Sequence, residues 1–180
     1  LVLEEFADNN FLPKFYQDAE RYAFPLELSF LADRFKQLKQ LTINHDLFNG
    51  NVISDYVITK SKLFARVNLK DQEYELFQKL FDIMAPNLPV PDLLIYLHTP
   101  INKLQQNIKQ RGRTYEQTIS AEYLERVQQV YQQYLKQEAQ KTLIIDTGAF
   151  DFINEPFNFE KLISFLEKDY DFRTHYLSID

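Results

Sequence analysis

Acidic residues stand at the ends of several short apolar runs in this 180-residue chain. Residues 1–4 lead into Glu4 and Glu5, residues 52–55 into Asp55 and Tyr56, residues 93–97 into His98 and Thr99, and residues 142–145 into Asp146, Thr147 and Gly148. If these runs are strands of a parallel sheet, ligands lie beyond their carboxyl ends, where the acidic groups converge. Carboxylates gathered there suit a cation or a hydroxyl group. A carboxylate at a strand end can equally do no more than cap the helix that follows. A second group of candidates lies in N-I-K-Q-R-G-R-T-Y-E-Q, residues 107–117, where Arg111 and Arg113 flank Gly112 and Glu116 follows. Two guanidinium groups on a glycine-broken turn suit the charge of a transferring phosphoryl group, although paired arginines also occur on ordinary helix surfaces. His98 at a strand end is expected to be structural or solvated, and His45 and His175 have no sequence partners that suggest a metal site.

Helices must bring these groups together. Phe24, Leu28, Leu31, Phe35 and Leu38 recur at helical spacing on one face. Tyr74, Phe77, Phe81 and Met84 do the same, and Leu76, Leu80 and Ile83 widen that stripe until the helix is expected to be buried between neighbours. Ile101, Leu104 and Ile108 continue the pattern up to Gly112, Tyr123, Val127, Val130 and Tyr134 resume it, and a last helix is predicted over 159–166. Pro86, Pro89 and Pro91 stiffen the approach to the third run. Strands separated by helices predict parallel crossovers and a doubly wound sheet in the α/β class, with large helical content.

The chain is 45% hydrophobic, enough for one globular domain over residues 1–180. Its formal charge of −6, with no basic run, argues against nucleic acid as a partner. Cysteine is absent, which excludes disulfides and thiolate metal sites and is compatible with a reducing cytoplasm. Glu4 and Glu5 interrupt the first residues too early for a signal-peptide core, and no apolar run approaches membrane length, so a soluble cytoplasmic protein with no membrane association is expected. With only Gly50, Gly112 and Gly148 available, neither G-x-x-x-x-G-K-[ST] nor G-x-G-x-x-G occurs in these residues.

Taken together, these segments resemble the deoxynucleoside kinases, above all the bacterial deoxyadenosine and deoxyguanosine kinases. The opening L-V-L-E-E-F-A-D-N-N-F-L-P-K-F-Y is similar to that family's second strand and following turn. The resemblance implies that Glu4, with Glu5 as the fallback, is the general base toward the substrate 5′-hydroxyl. Y-Q-D-A-E-R-Y-A-F-P-L-E-L-S-F-L-A-D-R-F resembles the substrate helices. It implies that Tyr16 holds the sugar 3′-hydroxyl and that Glu27 and Arg34 contact the base. Seven residues apart, Glu27 and Arg34 share a helix face, where they could also form a mere surface ion pair. V-I-S-D-Y-V-I implies Asp55 as the acid near Mg2+, with Tyr56 where the family carries arginine. R-G-R-T-Y-E-Q-T-I-S-A-E-Y-L-E-R-V resembles the lid, implying phosphate contacts from Arg111 and Arg113 and a sugar or lid contact from Glu116. L-I-I-D-T-G-A-F-D-F implies that Phe150, Asp151 and Phe152 lie in the loop that cradles the adenine of ATP.

The implied fold is a P-loop kinase-like three-layer sandwich, a parallel doubly wound sheet with long flanking helices. The implied reaction is ATP- and Mg2+-dependent phosphorylation of a deoxynucleoside, a purine one, by a homodimer. Because the family's first strand and phosphate loop precede the position of Leu1, roughly 30 further residues are expected upstream, a strand and a helix of βαβ size. Glu27 stands where the family has glutamine, which bears on base preference, since an ionised carboxylate accepts hydrogen bonds and cannot donate them. Two other readings use the same residues: a thymidylate kinase-like nucleoside monophosphate kinase, and a degenerate kinase domain serving as a binding module or fused to a pterin pyrophosphokinase.

Overall fold

In the computed structural model, residues 1–4, 9–44, 51–137, 140–148 and 155–177 are described. The sheet consists of β1 (Leu94–His98), β2 (Thr142–Asp146) and β3 (Thr174–Leu177), in that spatial order and all parallel. Parallel neighbours require crossovers. Helices α5 (Ile101–Arg111) and α6 (Ala121–Gln137) make the first, and α7 (Pro156–Leu166) the second. The central strand β2 is the most protected, with Leu143 and Ile145 fully buried.

Ahead of the sheet lie α1 (Leu12–Gln17), α2 (Ala19–Asn44), α3 (Thr59–Asn68) and α4 (Asp71–Met84). Leu31 of α2, Ala65 of α3 and Phe77 and Phe81 of α4 form one buried cluster, so these three helices are held as a unit. Burying Phe77 alone contributes about 2 kcal/mol. Phe15, Ala23 and Leu26 lock α1 onto α2, and Leu38, Tyr56 and Leu88 close a third cluster. Among the described residues, no helix is long and apolar enough to cross a membrane.

The structure departs from the sequence expectations in several places. Residues 1–4 and 52–55 are not strands buried on both faces. They meet in a single parallel bridge, Val2 to Ser54, and Leu1, Leu3, Val52 and Ile53 are exposed. The bridge is held by the Val2 N–H to Ile53 O bond (2.8 Å) and the Asp55 N–H to Val2 O bond (3.2 Å). In β1 the burial alternates, with Tyr96 and His98 half-buried and Ile95 and Leu97 exposed, because α6 packs on one face only: Tyr131 stacks on Tyr96 at 5.5 Å. Helix α4 is likewise one-sided. Phe77 and Phe81 are buried, whereas Leu76 is 49% and Ile83 70% exposed. Helices α1 and α3 and strand β3 have no counterpart in the sequence reading.

Candidate active site

Glu4 follows the Val2 bridge and is gripped on both carboxylate oxygens. Oε1 accepts the Arg34 Nε–H at 2.7 Å and lies 2.6 Å from Arg34 Nη2, and Oε2 accepts from Lys60 Nζ at 2.6 Å. Arg34, on α2, is only 4% exposed, and its Nη1 donates to Ser61 Oγ at 2.6 Å. A carboxylate offers about four lone-pair positions, so Oε2 retains acceptor capacity for one more donor. Burial pushes the Glu4 carboxyl up, but Arg34 and Lys60 together outweigh it and hold the group below its ordinary value. Glu4 is therefore ionised at neutral pH.

Asp55 is tied to the same place, since its Oδ1 accepts the Glu4 backbone N–H at 2.8 Å. The next residue, Tyr56, turns into the core and donates its hydroxyl to Gln37 Oε1 at 2.5 Å. The cations beside Glu4 come instead from Arg34 and from Lys60, the latter in the first turn of α3. Among the described residues no cluster of three or more acidic or histidine side chains could form a metal cage. Mg2+ needs none, because it binds through one or two carboxylates and completes its shell with water and substrate phosphates. The single exposed carboxylate of Asp55 fits that requirement, and Glu4, already paired twice, is not needed for it.

Glu27 lies one helical face along α2 from Arg34 and is 2% exposed, so the two residues are buried and do not form a surface pair. Glu27 Oε1 accepts from Asn68 Nδ2 at 2.7 Å, and Oε2 has no hydrogen-bond partner. Burial dominates and pushes the carboxyl up to about 7; the Asn68 hydrogen bond and the Arg34 charge pull it back only in part. Asn68, at the end of α3, also hydrogen-bonds Tyr123 of α6, whose hydroxyl is pushed up to about 12 mainly by burial.

The third group is the turn after α5. Gly112 adopts φ 71°, the left-handed region, and its N–H bonds back to Ile108 O at 3.3 Å. Glycine reaches this conformation without a Cβ penalty. The reversal lets Arg111 Nη2, at 2.5 Å, and Arg113 Nη1, at 3.0 Å, close on the two oxygens of Glu116, which is 5% exposed. Tyr115 stacks on Tyr16 at 6.0 Å, docking this turn against α1. The Tyr16 hydroxyl is raised above its ordinary value by burial, then by Tyr123 and Glu116, with Arg111 opposing.

The three groups thus share one electrostatic neighbourhood. Tyr16 senses Tyr123, Glu116 and Arg111; Tyr123 senses Glu27; Glu27 senses Arg34, Glu4 and Lys60. Ionised Glu4 can receive a proton from a hydroxyl, two cations stabilise it, and the arginine turn presents further positive charge. Phe150, Asp151, Phe152 and the alternative base Glu5 lie outside the described residues, as does His45. Leading toward residues 150–152, Gly148 N–H bonds Asp146 Oδ1 at 2.7 Å, and Lys103 Nζ donates to Thr147 O at 2.8 Å.

Lys60, Ser61 and Asn68 escaped the sequence reading because α3 did. In T-K-S-K-L-F-A-R-V-N the apolar residues are bunched at positions 63–65 and no long stripe appears. The signal that could have found the helix is Leu63 with Val67, an i, i+4 pair, directly after the acidic strand end.

A sequence profile described as deoxynucleoside kinase matches residues 1–169. Deoxyguanosine kinase of Bacillus subtilis (strain 168) is 33% identical over 174 residues, covering 93% of this chain and 84% of that protein. Deoxyadenosine/deoxycytidine kinase of the same organism is 30% identical over 169 residues, covering 89% of this chain and 76% of that protein. Among solved structures, deoxyadenosine kinase from M. mycoides with bound dATP superposes with a TM-score of 0.76 at 24% identity, covering 92% of this chain and 84% of that one, a likeness of fold.

Proposed function

Since the chain belongs to the deoxynucleoside kinase family, we propose that it transfers the γ-phosphoryl group of ATP to the 5′-hydroxyl of a purine deoxynucleoside. The observation that carries this reading is the ionised Glu4 held between Arg34 and Lys60. Phosphoryl transfer asks little covalent chemistry of the protein and relies on positioning and electrostatics. Glu4 Oε2 accepts the hydrogen bond of the 5′-hydroxyl. With its proton affinity lowered by two cations, the carboxylate takes the proton late, as the oxygen–phosphorus bond forms. Tyr16 orients the sugar from the 3′ side, and Glu27 and Arg34 face the base. Arg111 and Arg113, kept in register by buried Glu116, supply positive charge toward the moving phosphoryl group.

Asp55 would hold Mg2+, through water or directly; when bound, the cation neutralises charge on the phosphate oxygens. Phe150, Asp151 and Phe152 are assigned to the adenine of ATP. The purine assignment is supported by the names of two relatives, a deoxyguanosine kinase and a deoxyadenosine/deoxycytidine kinase, each of which includes a purine deoxynucleoside. We assign residues 1–180 to a single kinase-like domain acting in cytoplasmic nucleotide salvage, as a homodimer joined through the exposed apolar face of α4.

The test is Glu4→Gln in the full-length protein, assayed with ATP, Mg2+ and deoxynucleosides. Turnover should fall by about 10²- to 10⁴-fold while nucleoside binding persists. Unchanged turnover would refute the role given to Glu4.

A further inference from the structure

Resting on the purine reading above, we infer that Glu27 selects the base by its protonation state: the ionised carboxylate admits the edge of guanine, and the protonated carboxyl admits that of adenine. The geometry behind this is the orphaned Oε2 of Glu27, inside a residue only 2% exposed, beside an Oε1 already held by Asn68. A buried carboxylate oxygen without a donor is costly, so a ligand that supplies an N–H there is strongly favoured.

Purines differ in what they can supply. Guanine carries two adjacent donors, N1–H and the N2 amino group, next to the acceptor O6. An acceptor-only carboxylate matches those donors. Adenine carries one donor, the N6 amino group, between two acceptors, N1 and N7. Against an ionised Glu27, a ring-nitrogen lone pair would lie beside a charged oxygen with no hydrogen between them. A protonated carboxyl instead offers one acceptor and one donor, the pattern of a side-chain amide, and satisfies adenine's amino group and a ring nitrogen together; it can also meet guanine's N1–H and O6, so loss of the proton penalises adenine and spares guanine.

The groups facing Glu27 leave both forms accessible. Arg34 from α2 and Lys60 from α3 favour the anion; Glu4, beside the Val2 bridge, disfavours it. Tyr123 and Tyr131 approach from α6, and both phenols are held neutral by burial. Burial is the largest influence and keeps the carboxyl near balance at about 7.

The experiment measures kcat/KM for deoxyguanosine and deoxyadenosine in the full-length protein between pH 6 and pH 8. Their ratio cancels every pH effect common to both reactions, including those on Glu4 and ATP. The deoxyguanosine-to-deoxyadenosine ratio should rise with pH, toward a limit of about tenfold per pH unit. Deoxyinosine, which keeps N1–H and lacks the N2 amino group, should follow deoxyguanosine. In Glu27→Gln the ratio should be flat and shifted toward deoxyadenosine. A ratio that is the same at pH 6 and pH 8 in the unsubstituted protein overturns the inference while leaving the kinase reading intact, and needs no variant to fold. If no deoxynucleoside is phosphorylated at any pH, the kinase reading fails and the inference falls with it.

Discussion

At Glu27 burial and charge pull in opposite directions, and burial wins, whereas at Glu4 two close cations reverse the outcome. The difference has a measurable effect on stability. The folded chain holds the Glu27 proton up to about pH 7, while an ordinary glutamate releases it near 4.5. Between those values the folded state binds more protons than the unfolded one, so stability falls as pH rises through the window and levels off above it. Relative to Glu27→Gln, which has no proton to lose, the unsubstituted protein should lose about 3 kcal/mol between pH 4 and pH 8. Urea unfolding of both proteins at several pH values checks this; parallel curves would show that Glu27 titrates normally. Glu4, Asp55, Arg111 and Arg113 stood out in the sequence because the acidic end of an apolar run and a glycine between two arginines are local signals, whereas Glu27 and Arg34 were singled out only through the family resemblance. Lys60 and Asn68 were not singled out at all, because their importance comes from where α3 packs.

Among the elements, the α5 turn shows how one backbone angle arranges several side chains. Gly112 at φ 71° lets Arg111, the last residue of α5, and Arg113 converge on Glu116 from opposite sides of the turn. A Cβ at this position would meet nothing closer than Gln110 O at 3.9 Å, so the cost of Gly112→Ala is conformational strain, not a clash. The variant should lose about 1 kcal/mol of stability. Because Arg113 is displaced as the turn relaxes, kcat should fall by a larger factor than that strain alone would suggest. Thermal melting alongside steady-state kinetics tests both parts, and unchanged kcat would mean that the turn does not position the arginines. Periodicity made α2, α4, α5 and α6 readable, since each carries an apolar stripe at 3.6-residue spacing, although the stripe of α5, Ile101, Leu104 and Ile108, is only half-buried. Helix α1 is too short to establish a period, and Thr174, His175 and Tyr176 of β3 lack the apolar character of a protected strand.

For the molecule as a whole, α4 carries an exposed apolar surface. Leu76 and Ile83, seven residues apart, occupy one face, and Phe77 and Phe81 anchor the opposite one in the core. A second copy of the chain packing there would account for a stripe apolar over most of its circumference. Ile83→Asp should therefore halve the sedimenting mass of the full-length protein with little change in its melting temperature; the same mass for both proteins would exclude α4 from the interface. The α/β class and the strands β1 and β2 were accessible from the short apolar runs and their alternation with helices, whereas the pairing of β1 with β2 was not. Nor was one-sided burial in β1 and α4, because apolar content alone does not reveal which faces have neighbours.

The bond from the Glu4 backbone N–H to Asp55 Oδ1 joins the assigned base to the assigned cation ligand, while Arg34 and Lys60 share the Glu4 carboxylate. These four residues form one connected unit, so single substitutions among them draw on the same free energy and their effects will not add. The loss measured for Asp55→Ala includes the displacement of Glu4 as well as the missing oxygen ligand, and only double-mutant cycles can apportion the two.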